Sequence, residues 1–325
     1  MAIKHKGIVF GVLAAILSLA GSIILKNPVH AEILSTDDPI RMQISPVKQK
    51  LELAPGQSKV SYIKVMNIGT EKFSYSVSAT PYSIVDENYN ADYEDSSKDY
   101  TKMYNWVTID KNLKTGVLEP RTSIDVPFTI TVPSDAPSGG QYAAITAETT
   151  DNSEPDSIIA TINRLGMILY ADISGGQINI EGKIAENTIN SFFFEPPISA
   201  SVLIDSQSNI ETTATCTVKI WPFGSSETIY NNEESPVKLD IIPKTRRFNT
   251  ISWDGSPKLG IFTVEQKVDY LGEVSIVKKI VIVCPLWLAI VFISVFVLLI
   301  TWLVTRIVKR RKAKNQDNNQ KERRI

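Results

Sequence analysis

The stretch Phe73-Ser-Tyr-Ser-Val-Ser-Ala79 places an apolar side chain at every odd position and a serine at every even one. Such strict alternation, with aromatic and β-branched residues on the apolar face, is typical of a β-strand that buries only one face. Residues 124–132 repeat the pattern with Ile124, Val126, Phe128, Ile130 and Val132. The alternation therefore predicts an all-β protein in which each strand contributes one face to a core.

Further strand patterns follow on both sides of this stretch. Residues 58–67 and 141–149 complete a first group, and a second group begins after the polar segment 151–156. The second group has nine segments, at residues 158–162, 167–173, 177–183, 198–204, 214–221, 237–242, 247–253, 259–270 and 274–282. Short strands at this spacing predict two tandem immunoglobulin-like antiparallel β-sandwiches, at residues 32–150 and 151–279.

A transmembrane helix is predicted at residues 280–304, which contain no charged residue. At about 1.5 Å per residue, a helix of this length crosses the hydrocarbon layer. The tail that follows, residues 305–325, carries nine basic and two acidic residues. Such a basic cluster beside a span stays in the cytoplasm. Because the last strand segment ends almost at the span, we expect the second sandwich to lie close to the bilayer.

The N-terminus, residues 1–31, predicts a secretory signal. Lys4 and Lys6 precede an apolar run, and Val29-His30-Ala31 gives the small-x-small pattern that signal peptidase requires. The apolar run is long for a signal core, which leaves an uncleaved N-terminal anchor as the alternative. The two ends together predict a single-pass protein of the cell membrane, with extracellular sandwiches and a cytoplasmic C-terminus.

The composition restricts the chemistry. His5 and His30 are the only histidines, so the predicted mature chain lacks the residue that Ser-His-Asp catalysis and histidine metal sites require. The cysteines, Cys216 and Cys284, are not expected to form a bridge. Residues 32–279 carry 22 basic and 33 acidic residues, and this negative charge argues against a nucleic-acid partner. We predict a non-enzymatic protein with no cofactor and no metal site.

One loop combines aromatic rings with carboxylates and amides. Its candidate ligand-binding residues are Tyr82, Asp86, Asn88, Tyr89, Asn90, Tyr93 and Trp106. Sugars stack on aromatic rings, and carboxylates and amides bind their hydroxyl groups. The alternative is an ordered loop whose rings pack against the strands of the same sandwich. Asp86-x-Asn88-x-Asn90 also copies three ligand positions of a calcium loop, but Ala91 and Ser97 stand where that motif needs glycine and glutamate.

Short motifs occur in a fixed order along the chain. They include Leu53-Ala-Pro-Gly-Gln57, Ala79-Thr-Pro-Tyr82, Leu118-Glu-Pro120 and residues 132–144. In this order they resemble the N-terminal domain of WxL-interacting proteins. Arg164-Leu-Gly-Met-Ile-Leu-Tyr170 resembles the strand that opens the second sandwich of that family.

This resemblance implies a first domain that binds peptidoglycan, a second that binds host or surface proteins, and WxL-domain proteins as partners. The chain departs from the family pattern at residues 191–197, at Trp221-Pro-Phe-Gly224 and at Trp253-Asp-Gly255. These departures put the identity of the partner in doubt.

The sequence thus predicts a membrane-anchored surface protein of a Gram-positive-like bacterium that binds cell-wall polymer, other surface proteins, or both. Two alternatives stay open. One is an adhesin or assembly chaperone that binds an extended partner strand at an exposed sheet edge. The other is a wall-acting hydrolase that uses a pair of carboxylates.

Overall fold

The computed structural model describes residues 39–150 and 162–322, which form β-strands, one 3-10 helix and one long α-helix. The predicted signal segment 1–31 and the predicted linker 151–156 lie outside the described residues. The fold class is as predicted: two tandem immunoglobulin-like β-sandwiches are followed by one apolar α-helix.

The first sandwich is built from the strands up to residue 173. They are β1 (Met42–Ser45), β2 (Lys48–Leu53), β3 (Ser58–Asn67), β4 (Phe73–Pro81), β5 (Ser83–Ile84), β6 (Ala91–Asp92), β7 (Val107–Ile109), β8 (Thr115–Leu118), β9 (Ser123–Thr131), β10 (Gly139–Thr150) and β11 (Arg164–Ile173). One sheet has the order β1-β3-β9-β7 and the other β2-β11-β10-β4-β8, while β5 and β6 form a small hairpin. The 3-10 helix, Asp99–Trp106, precedes β7.

The alternating stretch at residues 73–79 lies in β4. Its odd side chains Phe73, Tyr75 and Val77 are each at most 2% exposed and pack in the first core with Phe128 of β9. The strand pattern read from the sequence is therefore confirmed here, because the predicted apolar face is the buried one.

The domain boundary that the sequence predicts, at residues 151–156, lies before β11, but β11 belongs to the first sandwich. We predicted that this strand opens the second sandwich, but it pairs with β10 antiparallel over its whole length and with β2 in parallel. Its side chains Met167, Leu169 and Ile173 are fully buried in the first core. The prediction for β11 is wrong because the polar segment 151–156 separates two strands that pair with each other.

The second sandwich follows β11. Its strands are β12 (Gly182–Ile189), β13 (Phe192–Phe193), β14 (Ile198–Ser206), β15 (Thr212–Pro222), β16 (Tyr230–Asn231), β17 (Val237–Ile241), β18 (Arg246–Trp253), β19 (Gly260–Tyr270) and β20 (Glu273–Val283). A three-stranded sheet has the order β12-β14-β18. The larger sheet has the order β13-β20-β19-β15-β16, and β17 pairs with β15. Cys216 is buried in this core, Cys284 is buried directly after β20, and the two form no disulfide, as predicted.

The helix α1 (Leu286–Glu322) follows β20 after only two residues, Cys284 and Pro285. We predicted that the span begins at residue 280, but residues 280–283 are the end of β20. Val281 and Val283 are fully buried while Ile280 and Ile282 are exposed, which is the two-residue period of a strand. The part of α1 that is long and apolar enough to cross a membrane is Leu286–Arg310.

Candidate functional site

The predicted ligand-binding loop lies between the two sandwiches. Tyr82 is only 7% exposed, and its ring packs edge-on against Tyr93 with the centroids 5.8 Å apart. These rings belong to one cluster with Tyr100, Tyr142 and Tyr170 of the first sandwich and with Ile242 of the second. The structure thus brings three of the predicted residues together, Tyr82, Tyr89 and Tyr93, but inside a contact between domains. Ligand binding by this loop stays a prediction, and the buried Tyr82 has little open ring face to offer.

The acidic residues of the loop hold its own backbone. Asp86 Oδ1 accepts hydrogen bonds from the backbone N–H groups of Asn88, at 3.0 Å, and Asn90, at 3.3 Å. Its other oxygen accepts from Asn90 Nδ2 at 2.7 Å. The hydrogen bonds from Asn90 are the main reason why the pKa of Asp86 lies below its ordinary value. In the same way, Asp92 Oδ1 accepts hydrogen bonds from the backbone N–H groups of Glu94 and Asp95. The carboxylates therefore shape the turns of the loop.

Trp106, the last of the predicted loop residues, lies elsewhere. It ends the 3-10 helix and packs against the core of the first sandwich, apart from the tyrosine cluster. The predicted set is thus divided between a turn, an interdomain cluster and a core. Among the described residues, no group of three or more acidic, histidine or cysteine side chains is arranged to hold a metal ion.

Tyr89 makes the most specific contact with the second sandwich. Its hydroxyl accepts a hydrogen bond from the backbone N–H of Ile242 at 2.9 Å and lies 2.8 Å from Thr245 Oγ1. Thr245 gives its own hydroxyl proton to the Ile242 carbonyl, so Tyr89 is the donor to Thr245. The Arg247 guanidinium lies 4.3 Å from the centroid of the Tyr89 ring. A ring that the sequence predicts to stack on sugar is therefore covered by a cation of the neighbouring domain.

A buried carboxylate holds the other side of the same interface. The Glu211 side chain, at 6% exposure, accepts a hydrogen bond from the Tyr142 hydroxyl at 2.7 Å and pairs with Lys48 Nζ at 3.2 Å. Its backbone N–H donates to the Tyr170 hydroxyl at 3.2 Å. Lys48 also contacts Asp240 at 2.9 Å. Because Lys48 belongs to the first sandwich and both acids to the second, these contacts join the two domains.

The protonation equilibria reflect this contact. Burial raises the pKa of Tyr82 to about 12, with a smaller contribution from Tyr93. Burial also raises the pKa of Tyr142 well above its ordinary value, and the Glu211 charge adds to the effect. Burial alone would raise the pKa of Asp240, but the hydrogen bond and charge of Lys48 outweigh it, and the pKa is lowered. At neutral pH the tyrosine hydroxyls are thus protonated hydrogen-bonding groups, and Lys48 and Asp240 are both charged.

The outer edge of β18 is the main unpaired feature next to this interface. On its inner side β18 pairs with β14 from Asp205↔Arg246 to Ile198↔Trp253. On its outer side the N–H of Phe248 donates to the Glu87 carbonyl of the loop at 2.7 Å. Since backbone groups alternate in direction along a strand, those of Thr250 and Ser252 point to the same outer side. No strand of the described residues pairs with this side of β18.

The other long edges of the second sandwich are interrupted. The outer side of β20 takes β13 at Ile282 and Val283. Farther along, Asn187 Nδ2 donates to the Ser275 carbonyl, and Lys279 Nζ donates to the Ile189 carbonyl. Strand β12, the opposite edge of the sheet that contains β18, has a register shift between Ile184 and Glu186. Bulges and guarding side chains of this kind reduce pairing with other chains. The edge of β18 has neither feature.

The sequence did not reveal the partners of the tyrosine loop or the open edge. Glu211, Arg247 and Thr250 lie in ordinary strand or turn patterns, and the bond from Tyr89 to Thr245 joins residues 156 positions apart. Residues 237–242 and 247–253 both have a strand pattern, so the sequence does not show which of them forms an open edge. The edge is open because β17 pairs with β15 in the larger sheet and leaves β18 without an outer neighbour.

Comparison with known proteins gives only distant likenesses. No family model matches the chain, and no curated protein matches it. Among solved structures, a chaperone–tip adhesin complex of CFA/I fimbriae has a TM-score of 0.37 at 13% identity, covering 74% of this chain and 98% of that one. The CsuC–CsuE chaperone–adhesion subunit complex of Acinetobacter baumannii has 0.36 at 8%, covering 74% and 98%. The E. coli chaperone DraB has 0.34 at 10%, covering 74% and 97%.

At TM-scores this low, none of these likenesses assigns a function to this chain. The resemblance to WxL-interacting proteins, which rests on short motifs, stays a prediction.

Proposed function

We propose that the chain is a non-enzymatic surface protein, held on the outer face of a cell membrane by α1, that binds a partner polypeptide by strand addition at β18. The observation that carries this proposal is the regular outer edge of β18, with which no strand of the described residues pairs and on which the Glu87 carbonyl takes only the Phe248 N–H. An exposed edge presents backbone donors and acceptors to an extended peptide, and main-chain hydrogen bonds supply affinity with little demand on sequence. This function is the sheet-edge alternative that the sequence analysis left open.

The membrane location rests on two features of the C-terminal end. Helix residues Leu286–Arg310 are long and apolar enough to cross a bilayer. The basic tail beyond them favours a cytoplasmic C-terminus, which leaves the sandwiches on the opposite face.

The loop that joins the domains supports the choice of edge. Glu87 already places one carbonyl against Phe248 N–H, and Arg246 pairs with the Glu87 carboxylate at 2.7 Å. This single bond is the first rung of a ladder that an added strand would continue past Thr250 and Ser252. The side chains next to that ladder are partly apolar: Phe248 is 37% exposed on the outer face. We therefore expect a partner segment with alternating apolar residues and a free backbone.

A photo-crosslinking experiment on the full chain in its membrane tests the proposal. A photoreactive amino acid replaces Ser252, whose backbone points to the open edge, and in a parallel sample it replaces Lys267. Lys267 is exposed but lies on β19, where it is paired with Thr217 of β15 on one side and with Ile276 of β20 on the other. We expect an adduct of discrete mass with a second polypeptide from position 252 and none from position 267.

A matched pair of variants separates strand addition from simple proximity. Both substitutions remove the hydroxyl of Thr250. Thr250→Pro also removes the backbone N–H that points outward, whereas Thr250→Val keeps it. The outward N–H takes no part in the ladder with β14, so both variants should fold. Thr250→Pro should lower adduct yield by about tenfold, since one bond is lost and an acceptor is left unpaired. Equal yields from the proline and valine variants would rule out strand addition at this edge.

Wall-polymer binding, the first function that the sequence predicts, stays a prediction. Among the described residues of the first sandwich, the ring available for it is that of Tyr62, which is exposed and lies opposite Pro127 on the outer face. Cosedimentation of the full chain in detergent with purified peptidoglycan tests this function. Binding that Tyr62→Ala abolishes would support a polymer site there, whereas a chain that stays in the supernatant would remove it.

A further inference from the structure

Apolar side chains are exposed at the end of the second sandwich from which α1 departs. Phe194 is 50% exposed and Leu259 is 58% exposed, and both line an apolar groove of about 720 Å³. The groove is completed by Ile261 and Ile282 of the sandwich and by Phe292 and Ile293 of α1. Large apolar groups that share one end of a domain indicate an interaction surface. We call the four sandwich residues Phe194, Leu259, Ile261 and Ile282 the collar.

The collar is fixed in position beside the helix. The backbone N–H of Ile282 donates to the Ser191 carbonyl at 2.9 Å, and that of Cys284 donates to the Phe193 carbonyl at 3.0 Å. The Phe192 and Phe194 rings pack edge-on with their centroids 4.8 Å apart. The segment that carries Phe194 is therefore hydrogen-bonded to the strand that leads into α1, which holds Phe194 beside the entry of the helix.

The groove extends along the first two turns of the helix. Phe292 and Ile293 lie six and seven residues after Leu286, which at 1.5 Å per residue is about 10 Å along the axis. Only Cys284 and Pro285 separate the sandwich from α1. If these turns of α1 lie at the membrane surface, the collar lies at the same depth. Glu195 and Lys258, which are exposed next to Phe194 and Leu259, limit insertion to the boundary of the headgroups.

We infer that the collar is immersed in the outer interface of the bilayer, where lipid acyl chains fill the groove between the sandwich and α1. The inference rests on the proposed membrane anchoring by α1 and adds a second contact with lipid. Continuity with the helix selects lipid as the occupant, because a protein partner would have to displace lipid from the side of the span. The side chains of Phe194 and Leu259 have no polar atom that acyl chains would leave without a hydrogen-bond partner.

The departures from the family pattern meet at this end of the molecule. Residues 191–197 supply Phe194, and the Phe223 backbone N–H of the second departing segment donates to the Ile261 carbonyl at 2.9 Å. Trp253, in the third segment, stacks on Tyr230 with the centroids 5.6 Å apart. A second sandwich fixed against the bilayer would hold β18 in one orientation relative to the membrane.

Quenching by spin-labelled lipid in proteoliposomes of the full chain tests the inference. Cys216 and Cys284 are replaced by alanine, and an environment-sensitive fluorophore is attached to a single new cysteine at Phe194, Leu259, Tyr62 or Val295. Lipids with the spin label high on the acyl chain should quench positions 194 and 259 and shift their emission to the blue. Position 62 should show neither effect, and position 295, inside the span, should be quenched by deeply placed spin labels.

The four positions distinguish the possible failures. Quenching at 295 without quenching at 194 and 259 overturns the collar inference and leaves the anchor intact. No quenching at 295 removes the anchoring itself. A blue shift at 194 that depends on the protein-to-lipid ratio, without lipid quenching, would mean that a second copy covers the collar. With the label at 259, Phe194→Asp should reduce quenching several-fold, and Phe194→Leu should leave it unchanged.

Discussion

Aromatic side chains lie at both ends of the second sandwich, yet the two ends are built from different chemistry. At one end the rings are tyrosines of the first sandwich, and the Tyr89 and Tyr142 hydroxyls are bonded to groups of the second sandwich. At the end that faces α1 the exposed groups are Phe194, Leu259 and Ile261, which have no polar atom in the side chain. Tyrosines at a contact between domains need hydrogen-bond partners for their hydroxyls. Side chains without polar atoms fit a surface that offers no hydrogen-bond partners.

The largest expected effect is at the tyrosine end. Tyr170 is fully buried, and its ring lies 4.7 Å from that of Tyr142. Tyr170→Ala should lower the free energy of unfolding by about 3–5 kcal/mol, because a large buried ring is replaced by a cavity. Since the ring lies in the domain contact, calorimetry of the full chain in detergent should also resolve separate transitions for the two sandwiches. Tyr62→Ala, at an exposed position, should change stability by less than about 0.5 kcal/mol. A single, unshifted transition for Tyr170→Ala would contradict the assigned role of the cluster.

A smaller effect is expected from the carboxylate in the same contact. Glu211→Gln keeps the shape of the side chain but removes the charge that pairs with Lys48 and accepts from Tyr142. We expect a loss of about 1–3 kcal/mol, as for other buried charged hydrogen bonds. Denaturant unfolding measures the change. The control is Glu233→Gln, because Glu233 forms an exposed ion pair with Lys219 and should contribute little. Equal effects of the two substitutions on the free energy of unfolding would show that burial of Glu211 does not strengthen its contacts.

Alkaline pH should affect the tyrosine end and spare the collar. In the unfolded chain tyrosine titrates near 10.0, while in the folded protein burial raises the pKa of Tyr82 to about 12. The folded state therefore favours the neutral ring, and its contribution to stability is complete below pH 10.0 and is lost as pH rises toward the folded pKa. The Tyr142 pKa is raised in the same direction by burial and then by Glu211.

Unfolding midpoints measured from neutral pH into this alkaline range, with tyrosinate absorbance recorded in parallel, test the expectation. Stability should fall while lipid quenching at position 259 stays constant. A chain whose stability does not change across the range would contradict the assigned burial of these hydroxyls.

Sequence patterns predicted strands well where one face is apolar and the other polar. The prediction failed for β12, placed at residues 177–183 instead of Gly182–Ile189, because Lys183, Glu186 and Asn187 give this edge strand no alternation. The strand at residues 167–173 was predicted and lies in β11, but its assignment to the second sandwich failed, because a polar segment between strands looks the same whether it ends a domain or joins two paired strands. The grouping of Tyr82, Tyr89 and Tyr93 was predictable from their spacing. Packing of these rings against strands of the same sandwich, as Tyr82 packs on Tyr142, is the alternative that the sequence left open. The contacts with Ile242 and Arg247 were not predictable, since these residues reach the rings only through the fold of a second domain.

The smallest expected effect is on the folding of the collar residues. Phe194 is half exposed and its ring packs on Phe192, so Phe194→Ala should lower the free energy of unfolding in detergent by only about 1 kcal/mol, although a phenylalanine is lost. The same substitution in Phe73, buried in the first core, should cost about 3–5 kcal/mol. A side chain that contributes little to folding while exposing a large apolar surface fits a contact outside the folded chain. If Phe194→Ala destabilised the protein as strongly as Phe73→Ala, the ring would be part of the core, and the difference between the two ends of the sandwich would be one of burial instead of partner.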